Sequence, residues 1–123
     1  MNLLLDTHVL IWWDEGGRLT SEARRAIGEA EDVYVSAASA WEIAIKTGLG
    51  RLKPTRTVEQ AAAESGFLEL PVTFRHAARV ASLPHHHRDP FDRLLVAQAT
   101  EEGLALVSRD PAFGPYGITV VRA

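Results

Sequence analysis

A chain of 123 residues, 46% hydrophobic and 24% charged, is long enough to bury one core and lacks the bias of a disordered or fibrous protein. It contains no cysteine, which excludes disulfides and thiolate metal sites and suits a reducing cytoplasm; its net charge of −3 leaves any nucleic-acid role to local basic patches. No run reaches the ~20 apolar residues of a membrane span, and the N-terminus lacks the basic region and cleavage site of a signal peptide, so a cytoplasmic protein is expected.

Residues 2–5 read as a short buried strand, followed by a helix from Thr7 to Asp14 that "GG" at 16–17 breaks. "TSEARRAIGEAE" (20–31) is a polar-faced helix capped at Thr20 or Ser21. "VYVSA" (33–37) is a second buried strand entering the helix "ASAWEIAIKTGLG", which Gly48 and Gly50 end. A basic loop (51–57) precedes a helix near 57–65, a strand at 68–72 and a helix at 73–82. "LPHHHRDP" is a loop. "DPFDRLLVAQATEEG" is a helix with proline in its first turn and glycine at its end. Strands at 104–108 and 118–121 complete a single domain over 1–123, with no internal repeat or linker.

Strands alternating with helices predict an α/β fold of three layers, α/β/α, around a mostly parallel central sheet. Right-handed crossovers send the C-terminal end of every strand to one edge, where ligands bind in open sheets of this kind. Asp6 ends the first strand, Glu42 lies in the first turns of the helix after the second, and Asp110 follows the strand 104–108. Asp89 and Asp92 open the helix that leads back into that strand.

Each acid has an ordinary structural explanation. "SAWE" (Ser39 to Glu42) matches a capping box, "DPFD" (Asp89 to Asp92) resembles one with proline at its first position, and Asp110 is placed to cap a short turn. Capping does not require apolar flanks, however, and Glu42 stands between Trp41 and Ile43, Asp92 between Phe91 and an Arg-Leu-Leu run. Carboxylates crowded into a partly buried space repel unless a positive charge joins them. A hard divalent ion with oxygen ligands, Mg²⁺ or Mn²⁺ in its place, meets that need.

The blocks "LLLDTHVLIWW", "SAASAWEIAIKTGLGRL", "HHHRDPFDRLLVAQA" and "LVSRDPAFGPYGI" together resemble the PIN-domain ribonucleases, specifically the VapC-type toxins of type II toxin–antitoxin modules. The resemblance spans essentially the whole chain. It implies a PIN fold, a Mg²⁺- or Mn²⁺-dependent endoribonuclease, a cognate antitoxin that inhibits it, and a homodimer. Asp6, Glu42 and Asp92 match the three core acids of the family and Asp110 the more variable fourth, all as catalytic and metal-binding residues; Asp89 is not among them and is read as a cap. Asp6 and Asp92 are the expected direct ligands. Glu42 and Asp110 either ligate, hold water, or help take a proton from the nucleophile.

Other residues have two readings each. Thr7 and Ser108, beside the acids, are substrate-site hydroxyls that orient waters or carboxylates, or ordinary caps. Lys46, four residues after Glu42, makes a surface pair worth about 0.3–0.5 kcal/mol or places its charge near a substrate phosphate. Arg51, Lys53, Arg56, Arg88, Arg93 and Arg109 form either a basic rim contacting RNA phosphates, with Arg93 and Arg109 next to Asp92 and Asp110 in the chain, or a solvated charged face. His85, His86 and His87 are adjacent loop residues, a poor arrangement for one ion, and are expected on the surface near the RNA path. On the first helix Val9, Leu10 and Trp13 share the face that packs on the sheet, which leaves Ile11 and Trp12 for a neighbouring helix or a partner surface.

Three rivals are weaker. A haloacid-dehalogenase-like phosphatase needs a second aspartate where His8 stands, and a response-regulator receiver needs an acidic pair and a late lysine that are not evident. A non-catalytic PIN-like binding module does not account for acids at all four positions.

Overall fold

The computed structural model describes residues 1–123. In chain order the elements are β1 (Leu3–Leu5), α1 (Thr7–Glu15), α2 (Ser21–Glu29), β2 (Val33–Ser36), α3 (Ala37–Gly48), α4 (Val58–Ser65), β3 (Leu68–Leu70), α5 (Phe74–Ser82), α6 (Pro90–Glu102), β4 (Ala105–Ser108), a 3₁₀ turn (Pro111–Tyr116) and β5 (Val120–Arg122). The strands form one sheet in the order β3-β2-β1-β4-β5, and every pairing is parallel.

The predicted elements are all present, with shifted ends. Ser36 caps α3 by accepting from the N–H of Ala38, so β2 stops one residue early and Ala37 is helical. Ser39 and Glu42 therefore lie inside the helix, and the expected capping box does not form. Pro71 has no N–H to extend the ladder, and β3 ends at Leu70. β5 sits two residues later than expected, in register with Leu106 to Ser108 of β4. Gly103 ends α6 with φ of 66°, a left-handed cap that a residue with a Cβ adopts only with strain.

Alternation along β1 builds both halves of the core. Leu3 and Leu5 face Val9, Leu10, Ala23, Ile27 and Ile43 from α1, α2 and α3. Leu4 faces Leu95, Val96, Ala99 and Phe113 on the other side. Helices thus cover both faces of an all-parallel sheet, as the short, wholly apolar strands require. The chain winds outward from β1 through β2 to β3, then crosses to β4 and β5 on the opposite flank. The crossing point lies between β1 and β4, and their carboxyl ends border the crevice where such sheets bind ligands.

Candidate active site

Asp6 is the first residue beyond β1 and Asp110 the second beyond β4, so the two neighbouring strands deliver them to the same crevice. Glu42 arrives from the second turn of α3, and Asp92 from the first turn of α6. The four carboxylates line one cleft, together with His8, Trp12, Lys46, Asp89 and Arg109. The cleft is the convergence that the sequence predicted for Asp6, Glu42, Asp92 and Asp110.

The two innermost acids are fixed by neighbours. Ser108 Oγ donates to Asp6 Oδ2 at 2.6 Å, while Asp6 Oδ1 receives the N–H of His8 at 3.4 Å. Thr7 Oγ1 donates to Glu42 Oε1 at 2.8 Å and lies 2.9 Å from Ser39 Oγ. Lys46 Nζ pairs with Glu42 Oε2 at 2.8 Å. Asp6 and Glu42 are buried. Thr7 and Ser108 are buried too, so their hydroxyls hold carboxylates and do not face a substrate.

Burial and mutual repulsion set the protonation of the cleft. Burial raises the Asp6 carboxyl above its usual range, against the opposing hydrogen bond from Ser108. Asp92 is pushed up to about 7, first by burial and then by the negative charges of Asp6 and Asp89, with His87 opposing. Asp110 moves the other way, because the N–H of Ala112 and the His87 ring both bind its carboxylate, and it stays ionised. Buried oxygen donors that also repel one another, one of them pushed up to about 7, are the donor set a hard divalent cation relieves, and Mg²⁺ or Mn²⁺ fits these residues.

Several other expectations are corrected. Arg93 is not on the rim: it is buried, and its guanidinium donates to the carbonyls of Pro84, Val80 and Leu83, tying α6 to the end of α5. Arg56 is taken by ion pairs to Asp14 and Glu64. Arg51, Lys53 and Arg88 are exposed, with Lys53 beside an apolar groove. Of the lysines and arginines, Lys46 and Arg109 are the two that line the cleft with the acids. The Arg109 guanidinium sits over the Trp12 ring, 4.3 Å from its centroid, and donates to the Ala123 carbonyl at 2.9 Å.

Ile11 and Trp12 diverge although they are adjacent. Trp12 lines the acidic cleft, whereas Ile11 lines a separate groove with Leu10, Ile43, Leu52, Val58 and Ala61. His87 is the site residue that sequence reasoning missed. Its Nε2 lies 3.0 Å from Asp92 Oδ2 and 2.8 Å from Asp110 Oδ2. The spacing of His87 to the cap residue Asp89, whose N–H its Nδ1 accepts, is the one local signal for it.

The PIN domain family profile matches residues 3–117. Ribonuclease VapC22 of Mycobacterium tuberculosis is 36% identical over 113 residues, covering 88% of this chain and 86% of that protein. Among solved structures, VapBC2 from Rickettsia felis bound to a DNA fragment from its promoter aligns with a TM-score of 0.70 and 12% identity, over 99% of this chain and 98% of that one. A toxin–antitoxin complex from Klebsiella pneumoniae aligns at 0.68 and 22% identity, over 97% and 95% of the two chains. At these identities the structural likeness concerns the fold.

Proposed function

The chain belongs to the PIN-domain family of VapC-type ribonucleases, and from that premise we propose that it is the toxin of a toxin–antitoxin module, a Mg²⁺- or Mn²⁺-dependent endoribonuclease acting in the cytoplasm. The observation that carries this reading is the cleft itself: four carboxylates from four elements meet where β1 and β4 end, and burial with mutual repulsion holds Asp92 near 7.

In this reading Asp6 and Asp92 hold the cation, with Glu42 and Asp110 completing the anionic surround. The bound ion supplies positive charge that polarises the phosphodiester and acidifies a water molecule. The protein supplies position. Ser108 and Thr7 aim the Asp6 and Glu42 carboxylates, and Lys46, with part of its side chain exposed, presents its ammonium to a substrate phosphate. Arg109, braced by Trp12 and the Ala123 carbonyl, gives a second phosphate contact without reading sequence.

Two surfaces serve partners. The groove containing Ile11 is apolar along Leu10, Ile43, Leu52 and Val58, flanked by Asp14, Lys53 and Arg56, and suits an amphipathic antitoxin segment. Trp41 and Ile45 on α3 and Leu49 at its C-cap are exposed four residues apart and suit a homodimer contact. A binding module without catalysis has no use for hydroxyls that orient buried acids. The test is incubation of the purified chain with a long RNA: Mg²⁺ or Mn²⁺ should give internal cleavage, EDTA should stop it, and a chain that never cuts RNA in either metal would overturn the reading.

A further inference from the structure

Of three consecutive histidines, the last is the one drawn into the cleft, although His86 packs edge-on against Tyr116 with centroids 5.0 Å apart. His85 and His86 are exposed. The His87 side chain is 14% exposed and is fixed from several directions. Its main-chain N–H donates to Tyr116 Oη at 2.8 Å, and its ring packs on Phe113 with centroids 5.4 Å apart. Its Nδ1 accepts the N–H of Asp89 at 3.1 Å.

That last contact decides the chemistry of the ring. A nitrogen that accepts a hydrogen bond carries no hydrogen, so the ring hydrogen sits on Nε2, the atom facing Asp92 and Asp110. The three groups have the spacing of a metal site, with ligand atoms within 4.8 Å of one another. Nevertheless Nε2–H has no lone pair to offer an ion. Freeing it would require a hydrogen on Nδ1, directly against the Asp89 N–H at the start of α6.

We propose that His87 is a positioning residue for the carboxylate cleft: its Nε2–H, bonded to Asp110 Oδ2 at 2.8 Å and standing 3.0 Å from Asp92 Oδ2, holds the two carboxylates in place so that their remaining lone pairs receive the divalent cation. This rests on the metal-dependent reading above and extends it to a residue outside the four acids. Asp92 and Asp110 come from separate elements, and His87 Nε2 lies within 3.0 Å of a carboxylate oxygen of each. Without His87 the Asp110 carboxylate keeps only the Ala112 N–H and Asp92 loses its nearest polar neighbour across the cleft, so that binding an ion has to order them. Partners one step removed from a metal set its affinity by roughly 10–100-fold.

The test measures Mn²⁺ affinity directly, from the loss of the free-ion electron paramagnetic resonance signal, for wild type, His87→Phe, His87→Gln and, as a control, Asp6→Asn. His87→Phe keeps a ring against Phe113 and removes the donor; it should stay folded and weaken Mn²⁺ binding by about tenfold or more. His87→Gln places an amide N–H where Nε2–H stood and should recover most of that affinity. His87→Leu replaces the Phe variant if the larger ring prevents folding. Wild-type affinity in His87→Phe or His87→Leu would reduce His87 to packing and overturn the inference. Equal weakness of the Gln and Phe variants would overturn its role as a donor. A wild type that binds Mn²⁺ no better than Asp6→Asn would instead bring down the metal-nuclease reading itself.

Discussion

Ser108 and Asp6, 102 positions apart in the chain, share a 2.6 Å hydrogen bond across adjacent parallel strands. The bond lowers the proton affinity of a carboxyl that burial raises. Ser108→Ala should therefore shift the acid limb of the cleavage profile to higher pH, because Asp6 must lose its proton to hold a cation. At a pH on that limb, activity should fall about tenfold, within the range for partners one step from a metal. A pH–rate profile checks this, and an unmoved acid limb contradicts it.

The proton held by Asp92 also makes stability depend on pH. Its carboxyl rises from 3.8 in the unfolded reference to about 7 in the fold, and Asp6 shifts the same way. Between those values the folded protein binds more protons than the unfolded chain, so without metal its stability should fall as pH rises through the window. Thermal melts in EDTA should show a drop on the order of 5 °C between mildly acidic and mildly alkaline buffer. Mn²⁺ should raise the melting temperature most at the alkaline end, by mass action on the ionised form. Asp92→Asn should flatten both dependences.

The acids were legible because each sits where a strand ends or where a helix begins at the same edge, and periodicity finds those places. Their partners were not. Thr7 and Ser108 read equally well as caps, and only the pairing of β1 with β4 brings Ser108 to Asp6. Arg93 looked like a rim cation because nothing local reveals that the carbonyls of residues 80 to 84 turn toward it. His87 was hidden among identical neighbours. Its distinction comes from a backbone N–H two residues on and from carboxylates that approach in space. The shifted end of β3 has a plain local cause in Pro71, whereas the two-residue shift of β5 is set by its pairing with β4.

The divergence of Ile11 and Trp12 separates two functions that a single patch would confuse. Ile11→Asp should weaken antitoxin binding while RNA cleavage by the free protein stays intact, since Ile11 lines the groove and not the acid cleft. Trp12→Ala should release Arg109, raising the KM for RNA about two- to fivefold, as expected for a cation–π contact of roughly 0.5–1 kcal/mol. Binding titrations and steady-state kinetics on both variants check this. The opposite pattern would reverse the assignment of the two surfaces.

Expression of the chain without an antitoxin should arrest bacterial growth. Glu42→Ala should abolish the arrest, because it removes the buried carboxylate that Thr7 and Lys46 orient. Growth curves with matched protein levels measure this. Arrest by the folded Glu42→Ala protein would show that toxicity does not arise in the cleft.

The most direct measurement compares RNA cleavage by wild type and Asp92→Asn, side by side in saturating Mn²⁺, with circular dichroism showing that both are folded. Asn keeps the shape of the side chain and removes its charge. The expected result is loss of more than about a hundredfold in rate for the variant, beyond what partners one step from a metal command. Cleavage by Asp92→Asn at the wild-type rate would contradict catalysis by this cleft.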